Sequence, residues 1–113
     1  MDSDTIIQEI ESMIEKKIPV SPSYWLEQSQ KLVILLGDES DILYKMQKEI
    51  AQKKVEWIEK GKSVAEAKLR IEASDIYEFM QSQRAKCERI NEIIRLSKIQ
   101  SRMRQNEFDA GNL

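Results

Sequence analysis

The chain has 113 residues, of which 34% are charged and 6% aromatic, so its length predicts one domain and its composition is typical of long exposed helices. A net charge of −2 excludes a global attraction to nucleic acid or to an anionic membrane. The apolar run at 32–36 is far shorter than the roughly 20 residues of a membrane-spanning helix, so no membrane association is expected. Because a single cysteine cannot form an internal disulfide, we expect a cytoplasmic protein.

The first predicted helix covers residues 3–17. Ser3 or Asp4 is placed to cap it. Its apolar residues recur at helical spacing and form one stripe: Ile6, Ile7, Ile10, Met13 and Ile14. Two prolines make residues 18–22 a linker, because proline cannot continue a helix.

The second predicted helix spans residues 22–60. Its apolar residues recur every seven positions, as in a helix that supercoils against a partner helix: Leu36, Leu43, Ile50 and Trp57. A break is possible at 37–38, because glycine can end one helix and aspartate can cap the next, although a continuous or kinked helix is favoured. Tyr24 and Trp25 are interpreted as core residues, with a partner-binding anchor as the alternative.

A tight turn between two helices is predicted at 59–66. Gly61 can adopt the left-handed conformation that ends a helix. Ser63 and Glu66 have the spacing of a capping box, in which each side chain accepts the backbone N–H of the other residue. The third predicted helix therefore runs from 63 to 105, and the tail at 109–113 is expected to fray. The seam of this helix is formed by Ala73, Ile76, Met80, Cys87, Ile90 and Ile94.

These elements predict an all-α fold in which the second and third helices form a long antiparallel, coiled-coil-like hairpin. The short N-terminal helix is expected to pack at its open end, over an apolar line formed by Leu32, Leu35, Leu96, Ile99 and Met103. No such cover is available near the turn. The apolar residues there that lie off the main seam are Val55, Ile58, Val64, Ile71 and Phe79. We expect them to mediate self-association, so that the protein is a homo-oligomer, most simply a two-fold dimer.

Candidate catalytic and metal-binding groups are few. The chain contains no histidine, which is the usual general base near neutral pH, and one cysteine is too few for a zinc site. Cys87 lies on the predicted seam and is expected to be a buried, unreactive thiol. The acidic residues Glu72, Asp75 and Glu78 are expected to form a solvated face. The sequence therefore predicts a protein that is not an enzyme, with no cofactor, no metal and no catalytic residue.

Basic residues concentrate in the second half of the third predicted helix. Arg95, Lys98 and Arg102 share one helix face, with Arg84 and Arg89 nearby. One interpretation is a strip that binds nucleic-acid phosphates or an acidic partner. The other, which is favoured, is that these cations stabilise the C-terminal end of the helix and pair with the acidic first helix. No aromatic residues interleave with the strip, which argues against stacking on single strands.

The later part of the chain also carries a resemblance. It contains Ala67-Lys68, Ala73-Ser74, Tyr77, Ile90-Asn91-Glu92-Ile93-Ile94-Arg95, Lys98, Arg102 and Glu107. An earlier segment contains Tyr24-Trp25-Leu26 followed by Lys31-Leu32. The pattern resembles small helical accessory proteins of tailed bacteriophages and prophages. This resemblance implies a phage accessory protein in the bacterial host cytoplasm, and it carries no catalytic residue across.

The sequence thus predicts a non-catalytic helical protein–protein interaction module that self-associates, as a phage accessory or host-inhibitory protein with a further protein partner. The alternative is a nucleic-acid-binding accessory protein. The residues assigned to that alternative are Arg84, Arg89, Arg95, Lys98 and Arg102.

Overall fold

The computed structural model describes residues 3–16 and 21–111, and these form four α-helices. The helices are α1 (Ser3–Glu15), α2 (Pro22–Glu59), α3 (Val64–Glu72) and α4 (Asp75–Gly111). The prediction of an all-α fold is confirmed. Most of the predicted linker at 18–22 lies outside the described residues, and so do residues 112–113 of the predicted frayed tail.

The helix α2 is continuous over its whole length. Pro22 is its first residue, a position where the missing backbone N–H leaves no helical hydrogen bond unmade. The possible break at 37–38 is absent. A Cβ placed on Gly37 would meet nothing within 4 Å, so packing does not require glycine there. The cost of one glycine inside a helix, about 1 kcal/mol, is too small to interrupt α2.

The prediction of a single third helix at 63–105 is wrong in two respects. The helix is interrupted at 73–74, and its second part is helical to Gly111 instead of ending at 105 and fraying from 109. At the interruption the backbone N–H and the hydroxyl of Ser74 both donate to the carbonyl of Ile71. A serine hydroxyl competes for helix carbonyls in this way. Asp75 and Glu78 then place negative charge in the first turn of α4, where the helix dipole favours it.

The turn that ends α2 forms around Gly61 as predicted. Gly61 has a φ of 90°, which is in the left-handed region that glycine adopts without strain. The backbone N–H of Lys62 donates to the carbonyl of Trp57, and that of Gly61 donates to the carbonyl of Ile58. These two bonds are the Schellman motif, which satisfies carbonyls that the helix end would leave free.

The start of α3 uses half of the predicted capping box. The Ser63 hydroxyl accepts the backbone N–H of Glu66 at 3.1 Å. The Glu66 carboxylate is engaged elsewhere, because Arg70 binds it at 3.1 Å and Lys62 lies 3.8 Å from it. The guanidinium of Arg70 also lies 4.7 Å from the ring centre of Trp57, a cation–π contact that links the end of α2 to α3.

Contacts divide the chain into two compact units. The terminal unit consists of the described residues of 1–37 and 88–113, so it contains α1, the first part of α2 and the last part of α4. The turn unit consists of residues 38–87, so it contains the rest of α2, all of α3 and the first part of α4.

The core of the terminal unit is built by three helices. Its buried residues are Ile6, Ile7, Ile10, Trp25, Leu32, Ile90, Ile93 and Ile94. Leu35 and Leu96 pack against this cluster, so α1 covers part of the apolar line that the sequence indicated, whereas Met103 of that line is 50% exposed. Each large side chain buried in this way contributes about 1.5–3 kcal/mol. At the surface, an ion pair between Glu11 and Arg89 joins α1 to α4.

The core of the turn unit is smaller. Its buried cluster is Ile50, Ile71 and Met80, with Leu43, Met46, Trp57, Ile76 and Tyr77 partly buried around it. Beside this cluster, the amide of Gln83 donates to the backbone carbonyl and the carboxylate of Glu39 at 2.9 and 2.6 Å. Lys86 pairs with the same carboxylate at 3.1 Å. These contacts join α2 to α4 within the turn unit.

Candidate interaction surfaces

Four of the five residues predicted to mediate self-association are exposed, and one is not. Val55 and Ile58 are exposed on α2, while Val64 and Phe79 are 72% and 61% exposed. The prediction is wrong for Ile71, which is 1% exposed and belongs to the core of the turn unit.

Ile71 is buried because α3 and α4 are separate helices. Ala67 and Ile71 lie one turn apart on α3 and are both buried, whereas Ala73, which the sequence placed on the seam, is exposed. In a continuous helix, the rotation of one segment would determine the rotation of the other. The interruption at 73–74 lets each helix bury its own apolar stripe.

A regular line of exposed side chains follows α2 within the turn unit. We name it the outer stripe, and its members are Tyr44, Lys48, Ala51, Val55 and Ile58. They are spaced by four, three, four and three residues, which is the spacing of a coiled-coil seam. Tyr44 is 66% exposed, and Lys48, Ala51, Gln52 and Val55 line a shallow open groove along the stripe. Sequence reasoning identified only Val55 and Ile58, because alanine is weakly apolar and tyrosine ends in a polar hydroxyl.

Two members of the predicted basic strip are occupied by acidic partners within the terminal unit. Arg89 binds Glu11, and Arg95 binds Glu92 one turn before it on α4. The bond to Glu92 raises the pKa of Arg95, and the bond from Arg95 lowers the pKa of the Glu92 carboxyl. The pairing of Arg89 with α1 is the contact expected if the cations serve the protein's own structure.

The other members of the strip are differently placed. In the turn unit, Arg84 donates to the side-chain oxygen of Gln81 at 3.2 Å. In the terminal unit, Lys98 and Arg102 are exposed and lie one turn apart on α4. Neither forms an ion pair with another residue in the part of the chain that the structure describes. Of the four strip residues in the terminal unit, a phosphate group would therefore find two without an ion pair among the described residues.

Within the turn unit, Glu39 of α2 binds two side chains of α4, Gln83 and Lys86. The hydrogen bond from Gln83 lowers the pKa of its carboxyl, and the bond from Lys86 lowers it further, while partial burial acts in the opposite direction. The charged form of Glu39 is therefore part of the packed structure between α2 and α4.

Three further candidates have structural roles. Trp25 is 1% exposed, so the interpretation of Trp25 as a core residue is confirmed, and the ring of Tyr24 packs edge-on against it. Cys87 is buried and free, as predicted. Glu72 lies 3.9 Å from Lys68, and among the described residues no group of three or more acidic or cysteine side chains is arranged to hold a metal ion.

No helix in the described ranges is both long enough and apolar enough to cross a membrane. No protein-family model, curated protein or solved structure matches this chain. The described residues form an all-helical protein with two small cores and, in the turn unit, an exposed line on α2 that includes Tyr44, Val55 and Ile58.

Proposed function

We propose that this protein is a non-catalytic helical interaction module that self-associates through its turn unit. The supporting observation is the balance of apolar side chains in that unit: three large ones form the buried cluster, and seven are exposed. The exposed ones are Ile42, Tyr44, Val55, Ile58, Val64, Leu69 and Phe79. Covering exposed apolar surface is favourable, so a unit with this balance gains stability when another surface packs on it.

The terminal unit has the opposite balance. Eight large apolar residues form its buried cluster, and among its described residues four are exposed: Leu26, Val33, Ile34 and Met103. We therefore assign self-association to the turn unit and leave the terminal unit available to a different protein partner.

An antiparallel helical hairpin is the proposed scaffold for this role. In the turn unit, the Schellman turn at Gly61 and the contacts of Gln83 and Lys86 with Glu39 support it. Two helices joined by a short turn hold side chains on a rigid surface, which suits binding to a second protein.

Size-exclusion chromatography with light scattering tests the proposal on the full chain. The wild type is expected to have a mass above the 13.3 kDa of one chain. The double variant Val55→Asp with Ile58→Asp is expected to be monomeric, because it would bury charges in an apolar contact. Leu26→Asp alters an exposed leucine of the terminal unit and is the matched control, which should keep the wild-type mass. A monomeric wild type would contradict the proposal.

The resemblance to phage and prophage proteins supports a biological setting for this module. We propose that it acts in the cytoplasm of a bacterial host as a phage accessory or host-inhibitory protein. Expression in a bacterial host, compared with expression of the Val55→Asp, Ile58→Asp variant, tests this setting. A growth or phage-replication phenotype that requires the intact turn unit is expected, and identical phenotypes for the two proteins would count against it.

Nucleic-acid binding through the basic strip is the alternative function. The observation that favours it is the exposure of Lys98 and Arg102 without an ion pair among the described residues. The pairing of Arg89 and Arg95 with acidic side chains weakens it. Reversing the charge at Arg95, Lys98 and Arg102 should abolish binding to DNA or RNA under this alternative and leave oligomeric mass unchanged. Absence of salt-dependent binding by the wild type would exclude it.

A further inference from the structure

The outer stripe of α2 has the spacing of a second coiled-coil seam, and nothing within the turn unit covers it. Its members Tyr44, Ala51 and Val55 are exposed, and the stripe keeps the alternation of three and four residues to Ile58. Side chains at this spacing lie on one line along a helix and interlock with a similar line on a second helix. The inner line of α2, which includes Ile50, already packs in the core.

Charges beside the outer stripe make it complementary to itself. Lys45 and Glu59 each follow a stripe residue by one position, so they lie on the same flank at opposite ends of the stripe. Both are exposed, and neither forms an ion pair with any residue that the structure describes. Two copies of α2 can run antiparallel about a two-fold axis that passes between them and meets this flank at Gln52. Lys45 of each copy then faces Glu59 of the other.

The layers of the seam also fit an antiparallel arrangement. Ala51 of one copy packs against Val55 of the other on both sides of the axis, so a small and a larger side chain share each central layer. Lys48 meets Ile58 of the second copy, and its aliphatic stem can cover that side chain while the ammonium group reaches water. A parallel arrangement would instead place Lys48 against Lys48 inside the seam, where like charges repel.

We propose that two copies of this chain pair through their outer stripes, antiparallel about an axis at Gln52, with ion pairs between Lys45 and Glu59 at both ends. This inference rests on the proposed function, because it specifies the surface and the direction of the self-association. On the opposite flank of the stripe, Lys54 of one copy faces Lys54 of the other across the same axis. This is one repulsive contact, against two attractive contacts between Lys45 and Glu59. Val64 and Phe79 lie on other helices and take no part in this interface.

Exchange of charges in the full chain tests the direction of pairing. Glu59→Lys sets two positive charges together at each end, and the dimer dissociation constant should rise roughly 10- to 30-fold in sedimentation equilibrium. Adding Lys45→Glu re-forms both ion pairs with exchanged signs and should restore the wild-type constant. Adding Lys54→Glu instead gives the same net charge and should not restore it, because Lys54 faces Glu59 only in a parallel pair.

Cross-linking provides a second measurement. Gln52→Cys should form an intermolecular disulfide under mild oxidation, because the proposed axis brings position 52 of one chain next to position 52 of the other. The wild type, whose one cysteine is the buried Cys87, should form no such disulfide. Rescue by Lys54→Glu, or a dimer unaffected by Glu59→Lys and not linked through position 52, would overturn the antiparallel stripe while leaving self-association intact. A wild type that is monomeric at every concentration would overturn both proposals.

Discussion

Replacing Ile71 by alanine tests whether the core of the turn unit lies where the structure places it. Ile71 is 1% exposed and shares a buried cluster with Ile50 and Met80. The substitution removes three carbon atoms, which is worth about 2.4 kcal/mol at roughly 0.8 kcal/mol for each buried methylene. A cavity adds to this cost, and such truncations typically lose about 2–5 kcal/mol. We expect Ile71→Ala to reduce the free energy of unfolding by about 3 kcal/mol.

Urea unfolding followed by far-UV circular dichroism measures this loss, at one protein concentration because self-association would make stability depend on concentration. Leu69→Ala is the matched control, since Leu69 lies on the same short helix but is 67% exposed. Its free energy of unfolding should change by no more than about 0.5 kcal/mol. If both variants unfold at the same urea concentration, Ile71 does not lie in the core and the reasoning from α3 is refuted.

Four further outcomes are expected. Gly61→Ala should lower the free energy of unfolding by roughly 1 kcal/mol in the same urea assay, because a residue with a Cβ is strained at a φ of 90°. Ser97→Ala should leave that free energy unchanged or raise it slightly, since the buried Ser97 hydroxyl has no hydrogen-bond partner among the described residues. Because folding lowers the pKa of Glu39, the stability that its charged form contributes is complete above the ordinary pKa of about 4.3 and is lost as pH falls through the lower pKa of the folded state. Glu39→Gln should therefore lose less stability than the wild type when urea unfolding is repeated at decreasing pH. Lys54→Gln should tighten the dimer in sedimentation equilibrium by removing the one repulsive contact across the axis, and a looser dimer would argue against the antiparallel pair.

The sequence was sufficient to predict the elements whose signals are strong and local. The apolar stripe of α1, the first-turn proline of α2 and the glycine at the end of α2 each have one dominant physical interpretation. The packing of α1 in the terminal unit was also predictable, because the apolar line around Leu32 needs a cover.

The interruption before α4 was not predicted, because two signals conflict there. The spacing of Ile76, Met80 and Cys87 continues a helical seam, and this favours an unbroken helix. Ser74 and Asp75 favour a new helix start, but capping contributes only about 1 kcal/mol, which the sequence alone cannot weigh against packing. The rotation of α3, and with it the burial of Ile71, depends on this small difference.

The outer stripe was only partly recognised for a different reason. Binary patterning detects strongly apolar residues, and two members of the stripe, Lys48 and Ala51, are not strongly apolar. Their alignment with Val55 became visible only when the structure showed which face of α2 the core of the turn unit already uses.

Sedimentation equilibrium over a concentration series, on the wild type and on Val55→Asp, tests the central claim that the turn unit joins two copies of the chain. The mass of the wild type should rise with concentration toward twice 13.3 kDa, and that of Val55→Asp should remain at 13.3 kDa. A wild-type mass of 13.3 kDa throughout the series, or equal association by the two proteins, would contradict the claim.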